Sequence, residues 1–466
     1  MKQTNCYLFV AFLFLGICSV NLFSDGMFMD GLFYADISRN MAEGLGSFWK
    51  PHLSYRLFNE FYEHPPLAFG LECVAFKIFG DSIYVERFYS LFTFVIVGWL
   101  MVLIWTKLTG DKRTGWLPLF FWIIVTEVSW VVANNMLENT MTIFVCLSIL
   151  LYLNSLENKR FLWIILSGIS LSLGLLTKGF VCLYVWTMPF FVWLFKRQNN
   201  FLQMMVDTLV FVAATIIPIA FLFGFIPDAR NNMINYFETQ VMKSIQTVKT
   251  VDSRFTIVIK FFKNIMMPLL FGLIVIVVAA TKKVKMSLLK QNIKVAAIFF
   301  AVVLCGILPI MISMKQRGFY ILSVYPVFAI GFAYLLYPVL KIAIDKVTLK
   351  YAKLLKIVTG CVIIISVGLS VSQIGRVGRD KEMVSDCKTV IDIVGKNVTI
   401  NICPVMFSNW SLHGYFSRYG NVTLDQDYRN VCQYYLIFDE CNMENMDAQY
   451  DEIPLVLNNY KLYRLK

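Results

Sequence analysis

The chain is dominated by apolar runs that recur with short polar gaps, each near the ~20 residues an α-helix needs to cross a bilayer core. Lipid offers no partner to a free backbone N–H or C=O, so such runs span as helices that satisfy their own backbone. Composition agrees: 58% of the 466 residues are hydrophobic and 15% are charged, where a soluble domain carries roughly 25% charge. A soluble enzyme, a nucleic-acid binder and a disordered scaffold are excluded. The net charge of +12 fits basic cytoplasmic loops beside anionic lipid.

About eleven spans are expected, near 6–24, 84–106, 115–133, 136–153, 161–177, 180–195, 204–225, 257–281, 295–313, 319–340 and 354–375. The first has no small-residue cleavage site before Asp25 and reads as a retained helix. Lys107, Lys112, Arg113, Lys159, Arg160, Lys196, Arg197, Lys282, Lys283, Lys285, Lys290, Lys294, Lys341, Lys346, Lys350, Lys353 and Lys356 fall in alternate loops. Those loops and the N-terminus are therefore expected in the cytoplasm. The opposite side receives Ser24–Ile83, the turn at Lys178, Pro227–Phe255, Met314–Gly318 and everything after Gln373.

The expected fold is an all-α polytopic membrane domain over residues 1–375, with a first external loop at 24–83 and a lid-like loop at 227–255. A small extracytoplasmic α/β domain follows at 376–466. Tyr34–Met41 has the period of an amphipathic helix lying at the membrane surface. Pro66–Gly80 is apolar but too short for a span. In the tail, β-rich runs at Val398–Ile402 and Tyr434–Phe438 follow a helix near Lys381–Val394. Cys387, Cys403, Cys432 and Cys441 share that tail, and four cysteines allow three pairings.

Ionisable groups at a membrane boundary are costly unless paired or solvated, which makes them functional candidates. Here they gather on the external side. Asp30 and Asp36 follow span one, and Glu63-His64-Pro65-Pro66 precedes the short apolar stretch. Glu86 and Arg87 open span two, and Glu138 opens span four. Lys178 sits in a tight turn, and Lys315, Arg317 and Tyr320 open span ten. Cations of this kind neutralise a phosphate and the charge on a leaving group, and an aspartate accepts a proton from an attacking hydroxyl. A lipid phosphate is the ligand that fits, with displacement at a sugar carbon as the reaction. The plainer readings are an N-cap at Asp30, a local Glu86–Arg87 ion pair and a snorkelling Lys178. Asp25, Glu43 and Glu60 read as solvated loop charges.

These residues resemble a known family. Asp30-Gly-Leu-Phe-Tyr-Ala-Asp-Ile-Ser-Arg-Asn-Met41 is similar to the first external loop of GT-C glycosyltransferases of the protein-mannosyltransferase and ArnT group, roughly D-E-x-x-Y-A-x-I-S-R-x-M. Glu63–Leu67 resembles E-[KH]-P-P-L, and Leu176–Gly179 resembles L-T-K-G. Lys315-x-Arg317-x-x-Tyr320, followed by Tyr325-Pro326, resembles the later basic element. The likeness runs over about residues 5–375.

The resemblance implies a polyprenyl-phosphate-sugar donor and inverting transfer of a hexosyl or pentosyl group on the external face. The short hydrophilic loops and compact tail favour a bacterial inner membrane, while an endoplasmic-reticulum lumen fits the same topology. The acceptor is a lipid such as lipid A, a protein or a glycan. It implies Asp30 as acid/base, with Glu138 matched by position, and Lys178 on the lipid phosphate with Arg317, Lys315 and Tyr320. His64 replaces the family's lysine, and Gly31 replaces its second acid, for which Asp36 is a substitute. Glu63 matches a glutamate that binds a divalent metal in ArnT-like enzymes, yet no histidine in Pro227–Phe255 completes such a site, and no other cofactor is implied. Tyr34, Arg39 and Arg87, with Glu238, Gln240 and Lys243 of the lid-like segment, are substrate-side expectations; Ser244 stands beside them. A transporter or flippase, a polymerase or ligase of lipid-linked glycans, and a non-catalytic assembly subunit stay open. The sequence contains neither an internal repeat nor a nucleotide-binding glycine motif.

Overall fold

The structure, a computed structural model, describes residues 4–197, 200–284, 286–350, 352–427, 429–438, 441 and 449–466. Lys2 and Lys285 lie outside them. The chain forms two compact units.

The larger unit comprises Met1–Val20, Tyr62–Ala68 and Phe88–Ser372. Among the described residues eight helices are long and apolar enough to cross a membrane: Thr4–Phe23, Val85–Thr109, Leu137–Ser155, Arg160–Lys178, Phe201–Phe225, Leu289–Ile312, Val324–Ile342 and Ala352–Gln373. The chain is an integral membrane protein. Three expected spans depart from a single straight helix. Lys112–Ile123 and Thr126–Ala133 are bent by 84°. The β-branched run Ile123, Ile124, Val125, Thr126 falls at that break, where side-chain crowding weakens a helix. Thr256–Asn264 and Met266–Thr281 are bent by 50°, just before Pro268, which has no N–H to continue the ladder. The expected span at 180–195 is a shorter apolar helix, Phe180–Lys196. Its first part, Phe180–Thr187, is wound as a 3-10 helix.

Between Pro227 and Gln246 the segment expected as a lid-like loop is helical: Pro227–Tyr236, a π-helical turn at Phe237–Met242, then Lys243–Gln246. A π turn adds a residue to the helical circuit and is frequent at functional sites.

The smaller unit comprises Asn21–Phe61, Phe69–Arg87 and Gln373–Lys466. Its sheet has strands β1 (Thr399–Ile402), β2 (Thr423–Asp425), β3 (Tyr434–Ile437), β4 (Tyr450–Glu452) and β5 (Lys461–Leu465), in the order β2-β1-β3-β5-β4. β1 runs parallel to β2 and β3, and β5 runs antiparallel to β3 and β4. Helices Lys381–Val394 and Trp410–Gly420 join it, and Leu32, Val384, Leu412, Phe416 and Leu436 share one core. Cys403 and Cys441 form a disulfide, while Cys387 and Cys432 are free.

Helix Met29–Ala42 corrects one expectation. Gly31 to Asn40 are all buried, so the helix has no solvated stripe. Several of its polar residues are engaged internally. Arg39 lies 3.2 Å from Asp36 and donates to the carbonyls of Ser417 and Arg418, and Ser38 donates to Glu72. Asp25 is likewise no solvated charge. It is buried, 2.6 Å from Lys388, and accepts from Tyr419. Burial alone would raise its carboxyl, but those bonds hold it below the usual range.

Candidate active site

The cluster is built around the end of helix Arg160–Lys178. Gly179 stops that helix at φ 84, ψ −150, a conformation open in practice only to glycine. Lys178, in the helix's last turn, is thereby held at the helix end, where a cation suits the dipole. Its Nζ lies 3.1 Å from Glu138 Oε1 and 3.4 Å from His64 Nε2, and 6.0 Å from the centre of the Tyr320 ring. Glu138 sits in the first turn of Leu137–Ser155. Lys315 Nζ donates to Gln240 Oε1 at 3.0 Å.

Gln316 anchors the loop that carries Lys315. Fully buried, it donates to the carbonyls of Ser313 and Arg254 and accepts from the Ile257 amide. His64 is buried, and burial together with Lys178 and Lys315 holds its imidazole well below the usual histidine range. It therefore stands neutral at neutral pH.

His64, Glu138, Lys178, Gln240, Lys315 and Tyr320 line one cavity of about 760 Å³. Most of the remaining wall is apolar. Phe180, Val181 and Leu183 come from the 3-10 turn, and Leu308, Pro309 and Ile310 come from the end of the helix opposite. Val241, Ser244 and Ile245 close it from the π-turn segment. A polar head beside an apolar slot suits an amphiphile bearing an anion. Tyr184, Tyr236 and Ser313 also line it and go beyond the expected set. Tyr236 Oη donates to the Lys178 carbonyl at 3.4 Å. It lies within the lid-like loop expected at 227–255, but only tertiary packing turns it inward.

Other expected residues stand elsewhere. Arg317 is exposed, as are Glu238 and Lys243, and none of the three lines this cavity. Glu238 lines a separate apolar groove with Pro65, Phe180 and Phe223. Glu63 is partly exposed. Among the described residues no three His, Cys, Asp or Glu side chains are grouped to hold a metal ion. Glu63 belongs to no such group.

In the smaller unit Asp30 lies, partly exposed, in the first turn of Met29–Ala42, whose N-cap is Phe28. Tyr34 is buried against Phe69, ring centres 5.7 Å apart. Glu86 and Arg87 do not pair with each other. Glu86 receives both arms of Arg418 at 3.1 and 3.0 Å, and Arg418 also reaches Asp81 at 2.5 Å. Arg87 donates to the carbonyls of Asn21 and Gly26. Burial pushes the Asp36 carboxyl up to about 7, against the pull of Arg39 and Arg418.

Residues 63–222 match the dolichyl-phosphate-mannose-protein mannosyltransferase family. The undecaprenyl phosphate-alpha-4-amino-4-deoxy-L-arabinose arabinosyl transferase of Yersinia enterocolitica is 29% identical over 157 residues, 33% of this chain and 27% of that protein. A namesake from Proteus mirabilis is 28% identical over 169 residues, 34% of this chain and 29% of that protein. The matched segments thus span less than a third of these relatives' length. The crystal structure of ArnT from Cupriavidus metallidurans bound to undecaprenyl phosphate superposes with a TM-score of 0.68 at 13% identity, covering 98% of this chain and 97% of that one. At that identity the likeness is one of fold. The chain therefore shares the fold of ArnT from Cupriavidus metallidurans over nearly its whole length, and residues 63–222 match the dolichyl-phosphate-mannose-protein mannosyltransferase family.

Proposed function

We propose that this chain is an inverting glycosyltransferase that moves a sugar from a polyprenyl phosphate to an acceptor at the external face of a bacterial cytoplasmic membrane. The observation that carries this reading is the junction of Lys178, Lys315, His64 and Tyr320 with a largely apolar slot in one cavity. With His64 neutral, two lysines and Glu138 leave one net positive charge. That matches the single negative charge of a phosphodiester donor. The likeness to proteins named for undecaprenyl phosphate supports the same donor class.

In the reaction the acceptor oxygen attacks the anomeric carbon as the bond from that carbon to the phosphate oxygen breaks. The acceptor's proton passes to Asp30, the base assigned by its motif. The leaving phosphate stays with Lys178 and Lys315, which stabilise its growing charge. Arg39, paired with Asp36 on the same helix and donating to the carbonyls of Ser417 and Arg418, holds the Asp30 helix in place. The transferred group is a pentose or hexose and the acceptor is lipid A, a protein or a glycan.

A lipid-linked glycan flippase is the second reading. Broken helices with polar groups at the break mark transporters, and Glu127, Asn264 and Tyr325 are hydrogen-bonded beside the two bends here.

The test uses wild type and Asp30→Asn in nanodiscs with extracted polyprenyl-phosphate sugars, following free polyprenyl phosphate by mass spectrometry. Release that depends on an acceptor and is lost in Asp30→Asn supports the transferase. Tight donor binding by both proteins, with no release from any pool of acceptors, supports the flippase.

A further inference from the structure

Within the smaller unit the loop at residues 45–60 encloses a separate cavity of about 300 Å³, walled by Ser47, Lys50, His52, Tyr55, Asn59 and Glu60 among others. Its frame is held by the chain's own bonds. Bridges join Gly46 to Pro51 and Ser54 to Phe58, and the Phe61 amide donates to the Pro51 carbonyl at 2.7 Å. Asn40, fully buried on the helix that bears Asp30, donates to the carbonyls of His52 and Leu53 at 3.1 and 3.0 Å. Gly46, at φ +74, lets the chain fold onto His52; a Cβ there would meet the His52 Cβ at 2.8 Å. His52 is itself buried, with Nδ1 2.9 Å from the Asn59 carbonyl. A preformed frame of this kind spares a ligand the entropy of ordering it.

Above that frame Tyr55 is 62% exposed, its ring tilted against His52 with centres 4.8 Å apart. An aromatic face attracts the polarised C–H bonds of a sugar ring through its quadrupole. Ser47, Lys50, Asn59 and Glu60 supply donors and acceptors for hydroxyls that are each both. Lys50 and Glu60 carry opposite charges and each already has a partner, so the cavity favours neither an anion nor a cation. A cavity of this size with Ser47, Lys50, Asn59 and Glu60 in its wall has no room for an isoprenoid chain. Neutral saccharide is the chemistry that fits.

We propose that residues 45–60 form a saccharide subsite that holds a neutral sugar ring of the acceptor. The acceptor role rests on the transferase reading; the binding of sugar does not.

The test has two arms on the full chain in nanodiscs. In the first, saturation-transfer NMR is recorded with methyl glucoside, methyl galactoside and N-acetylglucosamine. Saturation should reach the ring C–H protons of at least one probe in wild type and in Tyr55→Phe, and be lost in Tyr55→Ala. No transfer in wild type, or equal transfer in Tyr55→Ala, overturns the subsite. Removing an exposed side chain such as Tyr55 leaves the fold intact. In the second arm, Tyr55→Ala should raise the KM for a glycan-bearing acceptor about ten-fold while kcat stays within about two-fold. A rise in donor KM instead overturns the acceptor assignment. Wild type that binds sugar yet releases no polyprenyl phosphate sinks the transferase reading alone, and an active enzyme that binds no sugar sinks the subsite alone.

Discussion

Lys178 and Glu138 form a buried ion pair, 3.1 Å from Nζ to Oε1, with side chains 6% and 0% exposed. Breaking such a pair strands a buried charge and costs about 3–5 kcal/mol. Lys178→Met should therefore lower the thermal midpoint sharply in detergent, and Glu138→Gln added to it should restore much of the loss. A double variant no more stable than Lys178→Met would mean the pair is not coupled. Donor binding should stay weak in both, because the phosphate's cation is gone.

Product release should carry a proton signature at His64. Burial, Lys178 and Lys315 hold the imidazole below its usual range, and a dianionic phosphate beside it pulls the value back up. Binding polyprenyl monophosphate therefore takes up a proton, and this contribution strengthens binding as pH falls. Protonation of the phosphate itself works the other way. The diagnostic is thus the difference between wild type and His64→Gln in calorimetric titrations at several pH values. Parallel affinity profiles for the two would remove His64 from the phosphate site.

Gly179→Ala should disable the closing segment. A Cβ at this residue would lie 1.9 Å from Tyr236 Oη, at φ +84. Backbone strain alone is worth about 1–3 kcal/mol, and Tyr236 must also leave the cavity wall. Donor turnover should drop at least about ten-fold. Adding Tyr236→Phe should recover only part of it, since the ring carbon still stands 2.7 Å away. Full activity in Gly179→Ala would show that the segment's seat on Gly179 is dispensable.

Asp36 sets a pH slope on stability. Its carboxyl is raised from 3.8 to about 7 by burial, so between those values the folded chain holds a proton that the unfolded chain has lost. This contribution is complete below pH 3.8, declines as pH rises toward about 7, and is then gone. Its ceiling is about 4 kcal/mol. Asp36→Asn should flatten the thermal midpoint across that window and leave the protein no less stable at pH 8. An unchanged slope would show that Arg39 and Arg418 keep the carboxylate charged throughout.

By itself the sequence determined that this chain spans a membrane, where its helices lie and which charges stand at the boundary. Those readings depend on local rules: a helix must cover the hydrocarbon thickness, and a charge left in it must be paired or solvated. His64, Glu138, Lys178, Lys315 and Tyr320 were legible this way and Gln240 through the family resemblance, and they meet in one cavity. What only the tertiary structure decided is the set of partners. Glu86 has an arginine beside it in sequence, yet it pairs with Arg418, whose rigid fork reaches both carboxylate oxygens. The Met29–Ala42 helix has an amphipathic period, yet it is buried all round because Arg39 finds carbonyls at Ser417 and Arg418. The Cys403–Cys441 bond and the inward turn of Tyr236 likewise follow from long-range packing. Periodicity and charge are summed along the chain, whereas pairing is decided by what folding brings within hydrogen-bond reach.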